Sequence, residues 1–217
     1  MDSARIRQKT KLTACLILLV TLGTSCTYQR QFKSKPIGMP EEIYIDPSFQ
    51  QYYKPNIVLC HFREPDYSPQ TGEKAAQFLY SEMLRSNLEA DITVSSKRIS
   101  NDPDLLVRFA KENRYEFIVT GEILYYLYGG ISSESRVDQS IKVYRVTGKN
   151  LQMVVYAKAV ETAPPLPSTD YVLIQGRGRA APSAESLLKR NAVKFSRLLS
   201  HMVESGASKL VFDLQTD

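Results

Sequence analysis

Few residues of this chain are of the types that do chemistry, and their spacing decides which chemistry is open to them. Histidine occurs twice, as His61 and His201, and cysteine three times, as Cys15, Cys26 and Cys60. His61 follows Cys60 in an apolar run, where neighbouring strand residues point to opposite faces and do not share a metal. His201 falls at the polar edge of a helical stripe. Glu122 stands alone in VTGEILYY, whereas glycoside hydrolysis needs a second carboxylate about 5–9.5 Å away. No serine sits in G-x-S-x-G, so there is no nucleophile elbow. Gly176, Gly178 and Ala181 match the dinucleotide pattern G-x-G-x-x-A, with Asp213 ending a short apolar segment further on. Such a site needs its helix to begin at the glycine turn, and here Pro182 and Ser183 start the helix later. Arg177 and Arg179 make the stretch read as a basic, solvated loop. These residues predict a protein that is not an enzyme and takes neither cofactor nor metal.

Cys26 is different, because of what precedes it. Arg5, Arg7, Lys9 and Lys11 open the chain against one acid, Asp2; an apolar stretch follows over residues 12–22, then Gly23, Thr24 and Ser25. A basic start, an h-region of about ten residues and a small-residue cleavage site describe a secretory signal peptide over residues 1–25. The run is shorter than the ~20 apolar residues that cross a bilayer. Leu22-Gly23-Thr24-Ser25-Cys26 resembles the lipobox of bacterial lipoproteins, whose cysteine is acylated and becomes the mature N-terminus. The usual box has Leu three places before the cysteine; here Gly23 holds that place and Leu22 lies one further back. Cleavage beside a merely small-residue Cys26 is the alternative. The lipoprotein resemblance implies palmitate-type acylation at Cys26 and, with Thr27 after it, sorting to the periplasmic side of the outer membrane.

This reading changes what the charge means. Of 28 basic and 23 acidic residues, four and one lie in residues 1–25, which leaves 24 and 22 in the remaining 192 residues. A net charge of about +2 carries no nucleic-acid signal, and no Lys/Arg cluster interleaved with aromatics occurs. With Cys15 in the signal and Cys26 acylated, Cys60 has no partner for a disulfide and reads as a small core hydrophobe.

The elements that must position any site begin after a segment of mixed prolines, charges and tyrosines. Residues 26–53 read as the lipidated N-terminus and a tether, with one edge strand at Glu42–Ile45. Residues 54–217 read as a single domain. IVLCHF (57–62) is a buried strand; residues 72–88 place Ala75, Phe78, Leu79, Met83 and Leu84 at helical spacing; residues 92–94 are a short strand. Asp102 caps a helix with Pro103 at its first position, and Leu105, Leu106, Phe109 and Ala110 form its stripe. A meander of strands follows over 116–128, 136–146 and 151–160, with turns at Gly129-Gly130 and Gly148-Lys149-Asn150. A Pro/Gly-rich loop spans 163–182. Ser183 then caps a helix to about residue 204, with Leu187, Leu188, Ala192, Phe195, Leu198, Leu199 and Met202 on one face. Gly206 is expected to stop it before a last strand over 209–214. The order predicts an α+β (α/β-like) fold: a mixed β-sheet with an antiparallel meander, covered by helices.

The turns set an expected register: Glu122 opposite Lys142, Lys142 opposite Tyr156, Tyr144 opposite Val154. One face then holds Phe117, Val119, Ile123, Tyr125, Ile141, Val143 and Val155 as core. The other holds Thr120, Glu122, Tyr126, Ser140, Lys142, Tyr144, Tyr156 and Lys158, the alternation of a sheet with one solvated face. Tyrosines beside charges are favoured at interfaces, so Glu122, Tyr126, Lys142, Tyr144 and Tyr156 are the expected partner-binding residues; a merely wet face is the alternative.

IVLCHF, the helix after a glycine, EFIVTGEILYY, the hairpin VDQSIKVYRVTGKNLQMVVY and the closing amphipathic helix together resemble the CsgG/LpoB/FlgO-like envelope lipoproteins, over roughly residues 54–204. The tight turns lack the long hairpins of the CsgG pore, and no strand carries an outward apolar band of barrel length. The resemblance therefore implies the non-pore, LpoB-like branch: a periplasmic module on an outer-membrane lipid anchor that binds a periplasmic or inner-membrane protein and activates a peptidoglycan synthase or similar enzyme. A self-assembling component of a secretion or surface-appendage apparatus is the other function it implies.

Overall fold

The computed structural model of this chain describes residues 37–49, 54–95, 102–148, 150–165, 170–171, 174–175 and 181–213, with backbone only for the two short pairs and for 205–213. Residues 1–25, Cys26 and the Gly176 to Arg179 loop lie outside the described residues.

Two strand–helix steps come first and set the layers. Strand β2 (Asn56–Leu59) leads through α1 (Thr71–Arg85) to the parallel strand β3 (Asp91–Val94), and β3 leads through α2 (Pro103–Glu112) to β4 (Phe117–Leu127), which pairs parallel on the other side of β2. The two crossovers therefore run in opposite directions across the sheet. Because such connections are right-handed, α1 and α2 fall on opposite faces. Tight turns then give β5 (Ser135–Thr147) and β6 (Asn150–Ala163), both antiparallel, and β1 (Glu42–Ile45) closes the far edge against β6. The six-stranded order is β1-β6-β5-β4-β2-β3, a mixed sheet in an α+β fold. A separate hairpin of β7 (Asp170–Tyr171) and β8 (Ile174–Gln175) lies within the stretch expected to be loop.

The first face is the core. Helix α3 (Ala184–Asp213) lays Leu187, Leu188, Ala192, Phe195, Leu198, Leu199 and Met202 on it beside Ala75, Ala76, Leu79 and Met83 of α1. Phe62 is fully buried there and accounts for two glycines: a Cβ on Gly121 would lie 2.4 Å from its ring, and one on Gly72 2.0 Å from its carbonyl oxygen. On the second face α2 covers one end only, through Leu106 and Ala110 against Val58, Cys60 and Ile118. Its cap is as expected, with the Asp102 carboxylate accepting from the Asp104 N–H at 2.9 Å and Pro103 in the first turn. Leu84 and Leu105, read as stripe residues, are 53% and 44% exposed, at the margins of their helices' buried faces.

Two boundaries differ from the sequence reading. Helix α3 runs through Asp213, so residues 209–213 of the expected last strand are helical; an interior glycine such as Gly206 costs a helix only about 1 kcal/mol and need not end it. The compact unit begins at Ile37, before residue 54. Strand β1 is in the sheet and Phe49 is in the core, edge-on to Phe117 with ring centroids 5.9 Å apart. The Asp46 carboxylate fixes the turn between them, accepting from the Ser48 hydroxyl and N–H and from the Gln152 amide at 2.7–2.8 Å. Those hydrogen bonds, the Ser48 hydroxyl's foremost, hold the Asp46 carboxyl below its ordinary pKa. Upstream, the Lys194 ammonium, 5% exposed, reaches Glu161 at 2.9 Å and Glu41 at 2.5 Å, while Arg190 reaches Glu161 at 2.9 Å and the Arg197 guanidinium donates to the Ile37 carbonyl. Local pattern marks Glu42–Ile45 as an edge strand but shows none of these partners, because they lie far downstream.

Candidate functional site

Beyond the reach of α2, the second face of the sheet is open, and alternation along β4, β5, β6 and β1 decorates it with polar and tyrosine side chains. The observed register arranges them in two neighbouring rows. One runs Thr120, Lys142, Tyr156, Tyr44 and the other Glu122, Ser140, Lys158, Glu42. Lys142 faces Tyr156 as expected. It does not face Glu122, which pairs with Ser140: the β4–β5 turn closes one residue out of the expected register, and a bulge at Leu124 adds a second.

Each end of the second row holds an ion pair. Lys158 donates to Glu42 at 3.1 Å, and that hydrogen bond and charge raise the lysine's pKa. Arg63 bridges in parallel to Glu122: its N–H donates to the Gly121 carbonyl at 2.8 Å, its carbonyl accepts from Ile123 at 2.8 Å, and its guanidinium stands 3.7 Å from the Glu122 carboxylate. With Arg63 70% exposed, the pair contributes ~0–1 kcal/mol. Arg63, Thr120, Glu122, Ser140, Lys142 and Tyr144 line an open concavity of about 250 Å³.

Tyr126 is not on this face. A β-bulge between Ile123 and Tyr125 leaves Leu124 unpaired and reverses the alternation, so Tyr126 turns into the core at 6% exposure while Tyr125 turns out at 40%. Burial raises the Tyr126 pKa, and its ring stands edge-on to Tyr128 at 5.4 Å. A second bulge, after Val143, sets Tyr144 opposite Met153 rather than Val154, and Val154 joins the core. Tyr144 stays on the second face but leans half-buried toward the α2 cluster, and burial raises its pKa. Glu122, Lys142, Tyr144 and Tyr156 thus share one face; Tyr126 does not. The sequence reading left out Arg63, Tyr44, Glu42 and the depth of Thr120. Only the pairing of β1 and of the 60–63 segment brings the first three here.

The other chemistry-bearing residues sit apart. Burial raises the Cys60 thiol to about 12, so it is a packed hydrophobe with little thiolate. His61 lines a second polar concavity, about 280 Å³, with Glu64, Gln70 and Glu73. Among the described residues no three metal-ligating side chains converge, and no helix is long and apolar enough to cross a membrane.

No family model matches this chain, and no curated protein matches it in sequence. Among solved structures, the fold is similar to that of PelC from Paraburkholderia phytofirmans, a dodecamer: the TM-score is 0.53 at 14% identity, over 73% of this chain and 96% of PelC. A point variant of the same PelC, also a dodecamer, gives 0.52 at 13% identity, over 73% and 98%. Lipoprotein GNA1162 from Neisseria meningitidis gives 0.37 at 9% identity, over 70% and 100%. At these identities the likeness to PelC shows a shared fold.

Proposed function

We propose that this chain is a non-enzymatic binding module of the bacterial envelope, held on the periplasmic side of the outer membrane by acylated Cys26, that recognises a protein partner with the open face of its sheet. The observation that carries this reading is the pair of rows across four strands, in which Tyr44 and Tyr156 lie beside Lys142, Lys158, Glu42 and Glu122. Tyrosines supply large contact area and charges set partner choice, the composition that interfaces favour. Activation of a peptidoglycan synthase, as the LpoB-like resemblance implies, is the finer form of the same reading.

Crosslinking tests it. A photoreactive amino acid at Tyr44 or Tyr156 is expected to trap one envelope protein in intact cells, and the Lys142→Glu, Tyr156→Ala double variant to lose both that adduct and rescue of a knockout while keeping its circular dichroism spectrum. A folded double variant that still rescues and still crosslinks would sink the reading. Cys26→Ser is expected to move the protein out of the membrane fraction.

A second reading is self-assembly, favoured by the shared fold with the PelC dodecamer. It is separated from the first by the mass of the detergent-solubilised chain, which would be a defined multiple of the protomer.

A further inference from the structure

The concavity on the open face is built in a way that a flat protein contact does not need. Its floor is a near-square of four same-face residues, Thr120 and Glu122 on β4 against Lys142 and Ser140 on β5. Such a square measures roughly 5 Å across the strands and 7 Å along them, the footprint of one small ring. Arg63 stands at one side and the half-buried Tyr144 at the other.

Two observations point to a ligand. Thr120 and Ser140 are only 6% and 5% exposed, yet among the described residues neither hydroxyl has a hydrogen-bond partner in the protein. Both line the concavity. Their oxygens are not sealed from solvent, so both hydroxyls are free to hydrogen-bond with whatever fills the space. Lys142 adds an ammonium with no carboxylate partner among the described residues. The Arg63–Glu122 separation of 3.7 Å exceeds a hydrogen bond, so both groups retain donor and acceptor capacity toward the cavity.

We propose that this cavity binds a small monoanionic polyol of the sugar-acid class. The three charged groups sum to one positive charge, which a single carboxylate balances, whereas a phosphate near its dianion does not. Lys142 and Arg63 take the carboxylate. The Glu122 carboxylate accepts from ligand hydroxyls, and Thr120, Ser140 and Tyr144 exchange hydrogen bonds with the rest of the ring. At about 250 Å³ the space sits just below the usual range of small-molecule sites and suits one ring. This goes beyond the partner-binding reading and does not depend on it.

The test is equilibrium dialysis of the full chain in detergent against radiolabelled D-glucuronate. Saturable one-to-one binding is expected, weakened at least tenfold by Lys142→Met and severalfold by the isosteric Thr120→Val. Lys142→Arg should retain most of it, and Lys189→Met, on the far side of the sheet, all of it, with circular dichroism confirming each fold. Absence of saturable binding at millimolar ligand overturns the proposal. So does binding indifferent to Lys142→Met and Thr120→Val, equal competition by D-glucose, or equal competition by inorganic phosphate. Tyr44→Ala, outside the cavity, distinguishes the two readings: loss of the partner crosslink with glucuronate binding intact leaves this site standing and assigns the partner to the outer rows.

Discussion

The two faces of the sheet are made from the same strands by the same alternation, yet they differ in what they must do. The first is sealed by α1 and α3, and its residues are chosen by volume: Phe62 fits only because Gly121 and Gly72 leave room, and Phe195, Leu188 and Leu198 are fully buried around it. The second is sealed at one end by α2 and elsewhere presents hydroxyls, charges and tyrosines. Where burial is dense, a changed side chain disturbs its neighbours. On the open face it leaves the core packing alone, so under the proposed function stability and recognition occupy opposite sides of one sheet.

That contrast makes quantitative expectations. Phe62→Ala, on the sealed face, should cost ~3–5 kcal/mol and lower the melting temperature by roughly 6–20 °C in a thermal scan. If it costs no more than an open-face substitution, the core is not where this structure puts it. Deleting residues 27–53 removes β1, Phe49 and the Glu41 partner of Lys194, so the melting temperature should fall by several degrees; an unchanged value would return that segment to the role of a plain tether. Lys142→Glu is expected to shift stability by no more than ~0.5 kcal/mol, as at exposed sites generally. Its facing residues are Thr120 and Tyr156, so the new carboxylate does not oppose Glu122 directly. A larger loss in a denaturant titration would mean that Lys142 supports the fold and not a ligand or partner.

Much of the architecture was legible locally. The helix over 103–112 announced itself through Asp102-Pro103, and its cap is made as read. The meander, its two turns and the Lys142–Tyr156 pairing followed from strand periodicity and turn residues. The failures cluster where periodicity gives no information. In Ile123-Leu124-Tyr125-Tyr126-Leu127 every residue is apolar or aromatic, so no alternation marks the bulge that turns Tyr126 inward. Val154 and Val155 pose the same difficulty in β6, and both are buried.

The candidate site shows the same division. Glu122, Lys142, Tyr144 and Tyr156 could be read onto one face because they lie on consecutive strands joined by short turns. Arg63, Glu42 and Tyr44 could not, because the segments that carry them pair with strands distant in sequence.

By itself the sequence determined most of the elements up to residue 163 and their order, the main apolar faces and the α+β class, all of which depend on contacts within a few residues or across a turn. The expectation of an export signal ending at Cys26 also comes from the sequence, since it rests on composition alone. Tertiary structure decided the rest: that the edge strand Glu42–Ile45 pairs with β6, that α2 covers only one end of the second face, and that Arg63 lines a concavity with Thr120 and Ser140. The physical reason is that hydrogen bonding between distant strands and the handedness of crossovers act on whole elements, and neither leaves a periodic trace in the residues they bring together.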